Sequence, residues 1–166
     1  MEEKALYKEV LEEFIKSFGF EDISTLNTLN NLGNLYRMQY RHEEAKEIYE
    51  YALANCTNAF SEDHTSTLET MNNLGALYSD EDQLDKAEEI FKKALLGREQ
   101  VLGVEYVATL DTVNNLGNLY LKQGKLPEAM AIYKRAEAGY EKLLGPTHIS
   151  TLYTANNLGN VFWKQN

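Results

Sequence analysis

Apolar residues along the chain recur at spacings of three and four, and the blocks that contain them recur every 42 residues. In the first block, Leu26, Leu29, Leu32 and Tyr36 fall on one face of an α-helix. Polar residues occupy the other faces, so the block predicts an amphipathic helix, which we call helix A. Four copies of helix A are predicted, starting near Thr25, Thr67, Thr109 and Thr151.

A second amphipathic pattern, called helix B, follows each of the first three copies of helix A. In the third unit Gly124 predicts a helix stop, and Pro127 suits the first turn of the helix that follows. Gly103 and Gly145 then supply the left-handed residue that commonly ends a helix. Ser61 stands at that position in the first unit, so this end of helix B is predicted to close differently.

The 42-residue period assigns nearly the whole chain to helix pairs or to halves of pairs. The tetrapeptide Asn-Asn-Leu-Gly returns at 30, 72, 114 and 156 without any insertion. The period predicts one all-α array of eight helices: a lone helix B over 1–19, repeats over 24–65, 66–107 and 108–149, and a lone helix A over 150–166. A neighbouring helix is predicted to approach each glycine of the tetrapeptide closely, namely Gly33, Gly75, Gly117 and Gly159.

The recurring residues resemble the signature of the tetratricopeptide repeat (TPR), here Leu32-Gly33, Tyr36, Ala45, Tyr49 and Ala52. The long period, and a helix B that closes on "EKLLGPTH", are similar to the TPRs of kinesin light chains and of TPR tails on nucleotide-binding signalling proteins. The resemblance covers essentially the whole chain. It implies a right-handed superhelical solenoid of antiparallel helix pairs, with A helices lining the concave groove and B helices on the convex side. TPR arrays serve many pathways, so the resemblance specifies the fold more closely than the function.

Charge narrows the class of partner. The formal net charge of -10 disfavours nucleic acid and anionic membranes, which are bound through clustered Lys and Arg, and it mildly favours a basic ligand. Cys56 is the single cysteine, so the chain forms no internal disulfide, which fits a reducing compartment. The first residues carry no apolar run of signal-peptide or membrane-spanning length. The expected location is therefore cytoplasmic.

The sequence lacks the motifs of the common enzyme classes. It contains no GxxxxGK phosphate loop, no GxSxG, no HExxH and no pair of cysteines. His64 and His148 lie two periods apart just before helix A, where a role at the helix start is favoured over metal binding. The acidic run 80–82 lacks the Gly and the distal Glu of a Ca²⁺ loop and is typical of a solvated turn. We therefore expect no catalysis, no cofactor and no metal site.

The asparagine pairs raise a question, because Asn is a poor helix former and yet occupies the middle of every helix A. The first Asn of each pair is predicted to face the groove, where a side-chain amide can pair with the main chain of an extended peptide. The second Asn lies nearer the neighbouring helix A and is predicted to bond across that interface. Arg37, Leu121 and Lys122 are expected to select side chains of the peptide. The predicted peptide-binding residues are Asn30, Asn34, Arg37, Asn72, Asn114, Asn118, Leu121, Lys122, Asn156 and Asn160.

We interpret the chain as a non-catalytic protein-interaction module that binds an extended peptide or partner segment in its concave groove. Two alternatives stand beside this hypothesis: a recognition or oligomerisation tail of a nucleotide-binding (NB-ARC- or NACHT-like) signalling protein, and a fragment of a kinesin-light-chain-like cargo adaptor. Leu158, Val161 and Phe162 are expected at an exposed edge of the last helix A. Such an edge is expected in a fragment of a longer array, or it would permit self-association through the incomplete terminal repeats, with Tyr7, Val10 and Leu11 of the next chain packed on it.

Overall fold

The structure is a computed structural model that describes residues 12, 13, 15–17, 19 and 22–165. Seven α-helices, joined by turns, fill the range 22–165: α1 (Ile23–Met38), α2 (His42–Ala59), α3 (Thr65–Asp80), α4 (Leu84–Val101), α5 (Val107–Lys122), α6 (Leu126–Leu144) and α7 (Ile149–Gln165). Odd-numbered helices are the predicted A helices and even-numbered ones the B helices, so the all-α repeat fold is confirmed. The predicted lone helix B over 1–19 falls largely outside the described residues, of which 12, 13 and 15–17 are helical.

The chain divides into two compact units, Met1–Asn73 and Leu74–Asn166, which we call unit 1 and unit 2. In unit 1, α1 and α2 pack through fully buried apolar side chains, namely Leu26, Leu29, Ala52 and Cys56. Burial raises the pKa of the Cys56 thiol, which keeps the sulfur neutral. Cys56 is therefore a small core residue.

In unit 2 the main core surrounds two aromatic residues of B helices, Phe91 of α4 and Tyr133 of α6. Leu116 and Leu119 of α5 pack against them, and Val161 of α7 closes the cluster. A second cluster joins α5 to α6 through Leu110, Val113, Ala136 and Tyr140. Each of these apolar positions except Tyr140 repeats at the period read from the sequence.

Helix α7 buries a different side from the one expected. Leu158 and Val161 are only 6% and 0% exposed, because α7 turns them toward Leu116 and Tyr133 of the preceding helix pair. The expectation that both would lie at an exposed edge was therefore wrong. It holds for Phe162, which is 48% exposed.

The threonine of each predicted helix start anchors helix A to the turn before it. Helices α1, α3, α5 and α7 each begin two residues before that threonine, close to the predicted positions. In three of them its hydroxyl donates to the backbone carbonyl six residues earlier, at 2.8 Å for Thr67 and 2.9 Å for Thr109 and Thr151. These bonds satisfy carbonyls that follow the end of the preceding helix B.

The two histidines before A helices cap the helix start. The imidazole Nδ1 atoms of His64 and His148 accept the backbone N–H of Ser66 and Ser150, at 3.3 and 3.2 Å. The first N–H groups of a helix have no partner inside the helix, so each ring satisfies one of them. The predicted role at the helix start is confirmed.

The B helices close in two ways. Gly103 and Gly145 adopt φ values of 97° and 90°, the left-handed backbone that was predicted for them. Ser61 does not belong to the residues with positive φ. Instead, the ring of Phe60 stacks on His64 with centroids 4.3 Å apart, so this end of α2 closes differently, as predicted.

Close contact between a glycine of helix A and an aromatic ring of helix B sets the spacing of each described pair. A Cβ placed on Gly117 would lie 2.7 Å from the ring of Tyr133, and one on Gly75 would lie 2.9 Å from Phe91. In unit 1 the ring of Tyr49 lies against Gly33 in the same way. At Gly159 nothing lies within 4 Å, so the predicted close approach is confirmed for three glycines and wrong for the fourth.

The same substitution at two equivalent glycines is expected to have opposite effects on stability. Gly117→Ala forces a methyl group against Tyr133 and should destabilise unit 2 by about 1–3 kcal/mol. Gly159→Ala meets open space on an exposed helix and should stabilise by up to about 1 kcal/mol, because Ala is the better helix former. Urea unfolding followed by circular dichroism measures both; equal effects would contradict the assigned contacts.

Candidate functional site

The candidate site is the face of the A helices that carries the asparagines. In unit 1 this face belongs to α1 and to residues 65–73 of α3, and in unit 2 it belongs to α5 and α7. We call it the A face of each unit. The predicted site residues occupy it in three different states, namely buried, hydrogen-bonded within the fold, or exposed.

Asn30 is buried and does not face a groove. It is 1% exposed, its Nδ2 donates to the Thr70 hydroxyl at 3.0 Å, and its Oδ1 accepts from Nδ2 of Asn73 at 3.3 Å. Its predicted contact with a ligand is therefore corrected, because the amide already bridges α1 to α3. The prediction that the second Asn bonds across the A-helix interface is confirmed for Asn73.

At the next asparagine position of helix A, the amide oxygen accepts a hydrogen bond from a tyrosine hydroxyl of helix B. The Tyr49 hydroxyl donates to Asn34 Oδ1 at 2.7 Å, and the Tyr133 hydroxyl donates to Asn118 Oδ1 at 2.6 Å. The middle repeat has neither the asparagine nor the tyrosine at these positions. The three pairs are Asn34 with Tyr49, Ala76 with Phe91, and Asn118 with Tyr133. The amide oxygen is thus kept where a tyrosine needs an acceptor.

Further amide bonds join α5 to α7 in unit 2. Asn157, 7% exposed, donates through Nδ2 to Asn118 Oδ1 at 3.1 Å. The buried Thr154 hydroxyl donates to the Ser150 carbonyl at 2.8 Å and lies 3.2 Å from Asn114 Oδ1. The second Asn of the last pair therefore also bonds across the A-helix interface, as predicted. Asn114 keeps a half-buried side chain at the edge of the A face.

The three residues expected to select ligand side chains differ in what they offer. Lys122 Nζ pairs with Asp82 at 2.7 Å and also donates to the Ser79 carbonyl, so its charge is already compensated. Leu121 is half-buried and packs against the core of unit 2. Arg37 and Asn72 are half-buried in unit 1. Asn156 and Asn160 of α7 are exposed.

The A face of unit 2 contains a cleft of about 200 Å³ between α5, α6 and α7. Its lining consists of Asp111, Asn114, Tyr140, Ile149, Ser150, Tyr153 and Thr154. The Tyr140 hydroxyl donates to Asp111 Oδ1 at 2.6 Å, while the Tyr153 side chain is 55% exposed at the rim. Burial, and then the bond to Asp111, raise the pKa of Tyr140 far above its usual value, so the hydroxyl remains a donor.

The sequence pattern did not predict this cleft. The helical wheel places Asp111 and Tyr153 on the A face, but it treats each helix separately. Tyr140 lies on a B helix, and it enters the cleft only because α6 packs beside α5. Its column holds Cys56 and Arg98 in the other repeats, so the period gives no signal for it.

The described residues bring no three His, Cys, Asp or Glu side chains together as ligands for a metal ion. Among the described helices, none combines the length and the apolar composition that crossing a membrane requires.

Sequence comparison finds one family. The family model described as tetratricopeptide repeat matches residues 24–100, 66–142 and 106–166, which together cover most of the chain. Comparison with curated proteins finds no match.

Solved structures resemble the fold at low sequence identity. A Podosopora anserina protein with nearly identical TPR-like repeats, assigned as a kinesin light chain, is 22% identical with a TM-score of 0.79, covering 86% of this chain and 67% of that one. BtubC (BKLC) from P. vanneervenii is 24% identical with a TM-score of 0.80, covering 98% of this chain and 65% of that one. The type III secretion chaperone SycD of Yersinia enterocolitica, in complex with a peptide of the translocator YopD, is 18% identical with a TM-score of 0.62, covering 87% and 98%.

A double-mutant cycle tests the asparagine–tyrosine pair. Asn34→Ala and Tyr49→Phe should each destabilise unit 1 by about 1–2 kcal/mol, because each leaves a poorly hydrated partner without its bond. The double variant should cost about 1 kcal/mol less than the sum, since it recreates the pair at Ala76 and Phe91. Urea unfolding measures the cycle, with the exposed Asn31→Ala as control; additive effects would contradict the pairing.

Proposed function

The chain belongs to the tetratricopeptide repeat family, whose members are protein-interaction modules, and we propose that it binds an extended segment of a partner protein along its A face. It does so without catalysis. The observation that carries the proposal is the cleft of unit 2, where a carboxylate, an amide and an exposed aromatic ring converge. Such a concave site with a few convergent polar groups is the usual form of a ligand site.

The chemistry of the cleft favours a basic side chain. Asp111 is exposed, and no Lys or Arg among the described residues pairs with it. One of its oxygens accepts from Tyr140, which fixes the carboxylate and leaves the other oxygen for a ligand. The ring of Tyr153 offers a face for a guanidinium or ammonium group. The net charge of -10 attracts cationic segments from a distance.

The predicted asparagines have two different roles. Asn30, Asn34 and Asn118 stabilise the fold through their side-chain amides, so fewer of the predicted asparagines are assigned to a ligand. In unit 2 we assign the peptide backbone to Asn114, Asn156 and Asn160, of which the last two are exposed. Half-buried Asn72 and Arg37 of unit 1 are assigned to the same role on their own A face.

The SycD complex supports a peptide ligand at the level of fold, since a chain of similar architecture holds a peptide of its partner. A second candidate is a kinesin-light-chain-like adaptor, which the P. anserina and BtubC structures favour. An adaptor of this kind would also bind its partner on the A face, so the two candidates share the same site. A groove for acidic cargo would fit poorly, because Lys122 is already paired with Asp82.

A positional-scanning library of acetylated decapeptides tests the proposal without a known partner. The protein should retain pools in which one position is fixed as Arg or Lys. Asp111→Asn should lower that retention by about 5–10-fold, since it removes the charge but keeps an acceptor for Tyr140. Raising the salt concentration should weaken the same pools.

The matched control is Asp85→Asn, which makes the same charge change at an exposed position on helix α4. It should leave retention unchanged. Equal losses in Asp85→Asn and Asp111→Asn would mean that only the net charge matters. Absence of any retained pool, or amide shift changes confined to B helices in nuclear magnetic resonance (NMR) spectra, would overturn A-face binding itself.

A further inference from the structure

The repeat that precedes the cleft of unit 2 holds an arginine side chain at the equivalent place. Arg98 of α4 is only 5% exposed, and its guanidinium donates through one nitrogen, Nη1, to two acceptors. These are the Ala108 carbonyl at 2.6 Å and the Thr112 hydroxyl at 2.8 Å, both in the first two turns of α5. The chain thus contains a buried guanidinium group that is bound by the start of an A helix.

The start of α7 carries the same two kinds of acceptor. Ser150 stands one period after Ala108. Thr154 stands one period after Thr112, and both residues of α7 line the cleft. The Thr154 hydroxyl donates to the Ser150 carbonyl at 2.8 Å, and the equivalent bond in α5 is 3.3 Å long. In both helices the hydroxyl proton is therefore used within the helix, which leaves the hydroxyl oxygen as an acceptor.

Tyr140 replaces the arginine in the last repeat. It stands one period after Arg98, and its hydroxyl donates to Asp111 Oδ1 at 2.6 Å. A tyrosine hydroxyl has a single proton, so Tyr140 donates nothing to Ser150 or Thr154. The cleft therefore presents the acceptors that bind a guanidinium group in the preceding repeat, together with a carboxylate.

We propose that the cleft is an arginine pocket, which takes the guanidinium group of one arginine side chain of the bound segment. The inference rests on the proposed function and specifies the residue type that the cleft binds. One guanidinium nitrogen donates to the Ser150 carbonyl and the Thr154 hydroxyl, as Arg98 does in α5. A second nitrogen donates to the other carboxylate oxygen of Asp111, and the planar group lies against the Tyr153 ring.

The pocket selects arginine over lysine. A guanidinium group presents five N–H donors in a fixed plane, whereas an ammonium group is a compact charge that holds its hydration shell more strongly. The acceptors come from two helices, α5 and α7, and the exposed side chains of Ile149 and Tyr153 add an apolar rim. A planar, weakly hydrated cation enters such a cleft at a lower desolvation cost.

The open side of the pocket is a property of every repeat. Tyr153 shares its column with Asn27, Glu69 and Asp111, and all four residues are exposed. Asp111 stays exposed although a further A helix, α7, follows α5. A ligand can therefore reach this column in the interior of the array as well as at α7.

The first test titrates acetyl-arginine N-methylamide into the full chain and follows the methyl NMR signals of Ile149 and Thr154. Both signals should shift saturably, and acetyl-lysine N-methylamide should bind about 5–10-fold more weakly. Thr154→Val should reduce the arginine affinity to that of the lysine compound, because it removes an acceptor and keeps the shape of the side chain. Thr154→Ser keeps the hydroxyl and should retain the preference.

The second test fills the pocket from within. Tyr140→Arg gives the last repeat the residue of the preceding one, so its own guanidinium should occupy the pocket and weaken binding of the arginine probe at least about 10-fold. The matched control is Tyr140→Phe, which keeps the ring, releases Asp111 and should bind the probe as well as the unchanged chain does. If Tyr140→Arg does not fold, the two Thr154 variants decide the question.

Equal affinities for the arginine and lysine probes, or arginine binding that persists in folded Tyr140→Arg protein, would overturn the arginine pocket. The proposed function stands in that case if the decapeptide library still retains basic pools. If the arginine probe binds and no decapeptide pool is retained, the pocket stands and binding of an extended segment is overturned. Tighter binding of free L-arginine than of the blocked probe would identify a small molecule as the ligand and would overturn the assignment to a partner side chain.

Discussion

The described fold depends on the contact between a glycine of helix A, which has no side chain, and an aromatic ring of helix B. At Gly33, Gly75 and Gly117 the ring of the following helix B occupies the space where a Cβ would stand. That contact fixes the distance between the two helices of a pair, and it buries Tyr49, Phe91 and Tyr133 completely or nearly so. Side chains on both sides of the ring can then interdigitate at the density of a protein interior. The period of 42 residues repeats this contact together with its surroundings.

A buried tyrosine needs a hydrogen-bond partner, and this requirement explains several unfavourable asparagines. Asn34 and Asn118 supply the acceptor for a hydroxyl that burial would otherwise leave unsatisfied. Asn30, Asn73 and Asn157 add bonds between neighbouring A helices within each unit. The low helix propensity of Asn is offset by these tertiary bonds. Stability therefore accounts for most of the repeated amides, and ligand binding rests on fewer residues.

The sequence predicted the elements well because periodic burial specifies them. Helix starts fell within two residues of the expected threonines, and three of four glycine contacts were correct. The wrong predictions depend on residues of neighbouring helices, which a helical wheel of one helix does not include. Asn30 is buried because Thr70 and Asn73 reach it from α3, and Gly159 is open because no described helix B follows α7. The cleft at Asp111 was missed for the same reason, since Tyr140 arrives from another helix.

Asn30, Asn73 and Asn157 use their side-chain amides to hold the fold together, whereas the amides of Asn156 and Asn160 are exposed to a partner. Hydrogen exchange of the Asn side-chain NH₂ groups, resolved by NMR spectroscopy, measures this directly. We expect strong protection for Asn30, Asn73 and Asn157, whose Nδ2 atoms donate within the fold. We expect rapid exchange for Asn156 and Asn160, which are exposed. Exchange of Asn30 as fast as that of Asn156 would show that the buried bridge between α1 and α3 is absent.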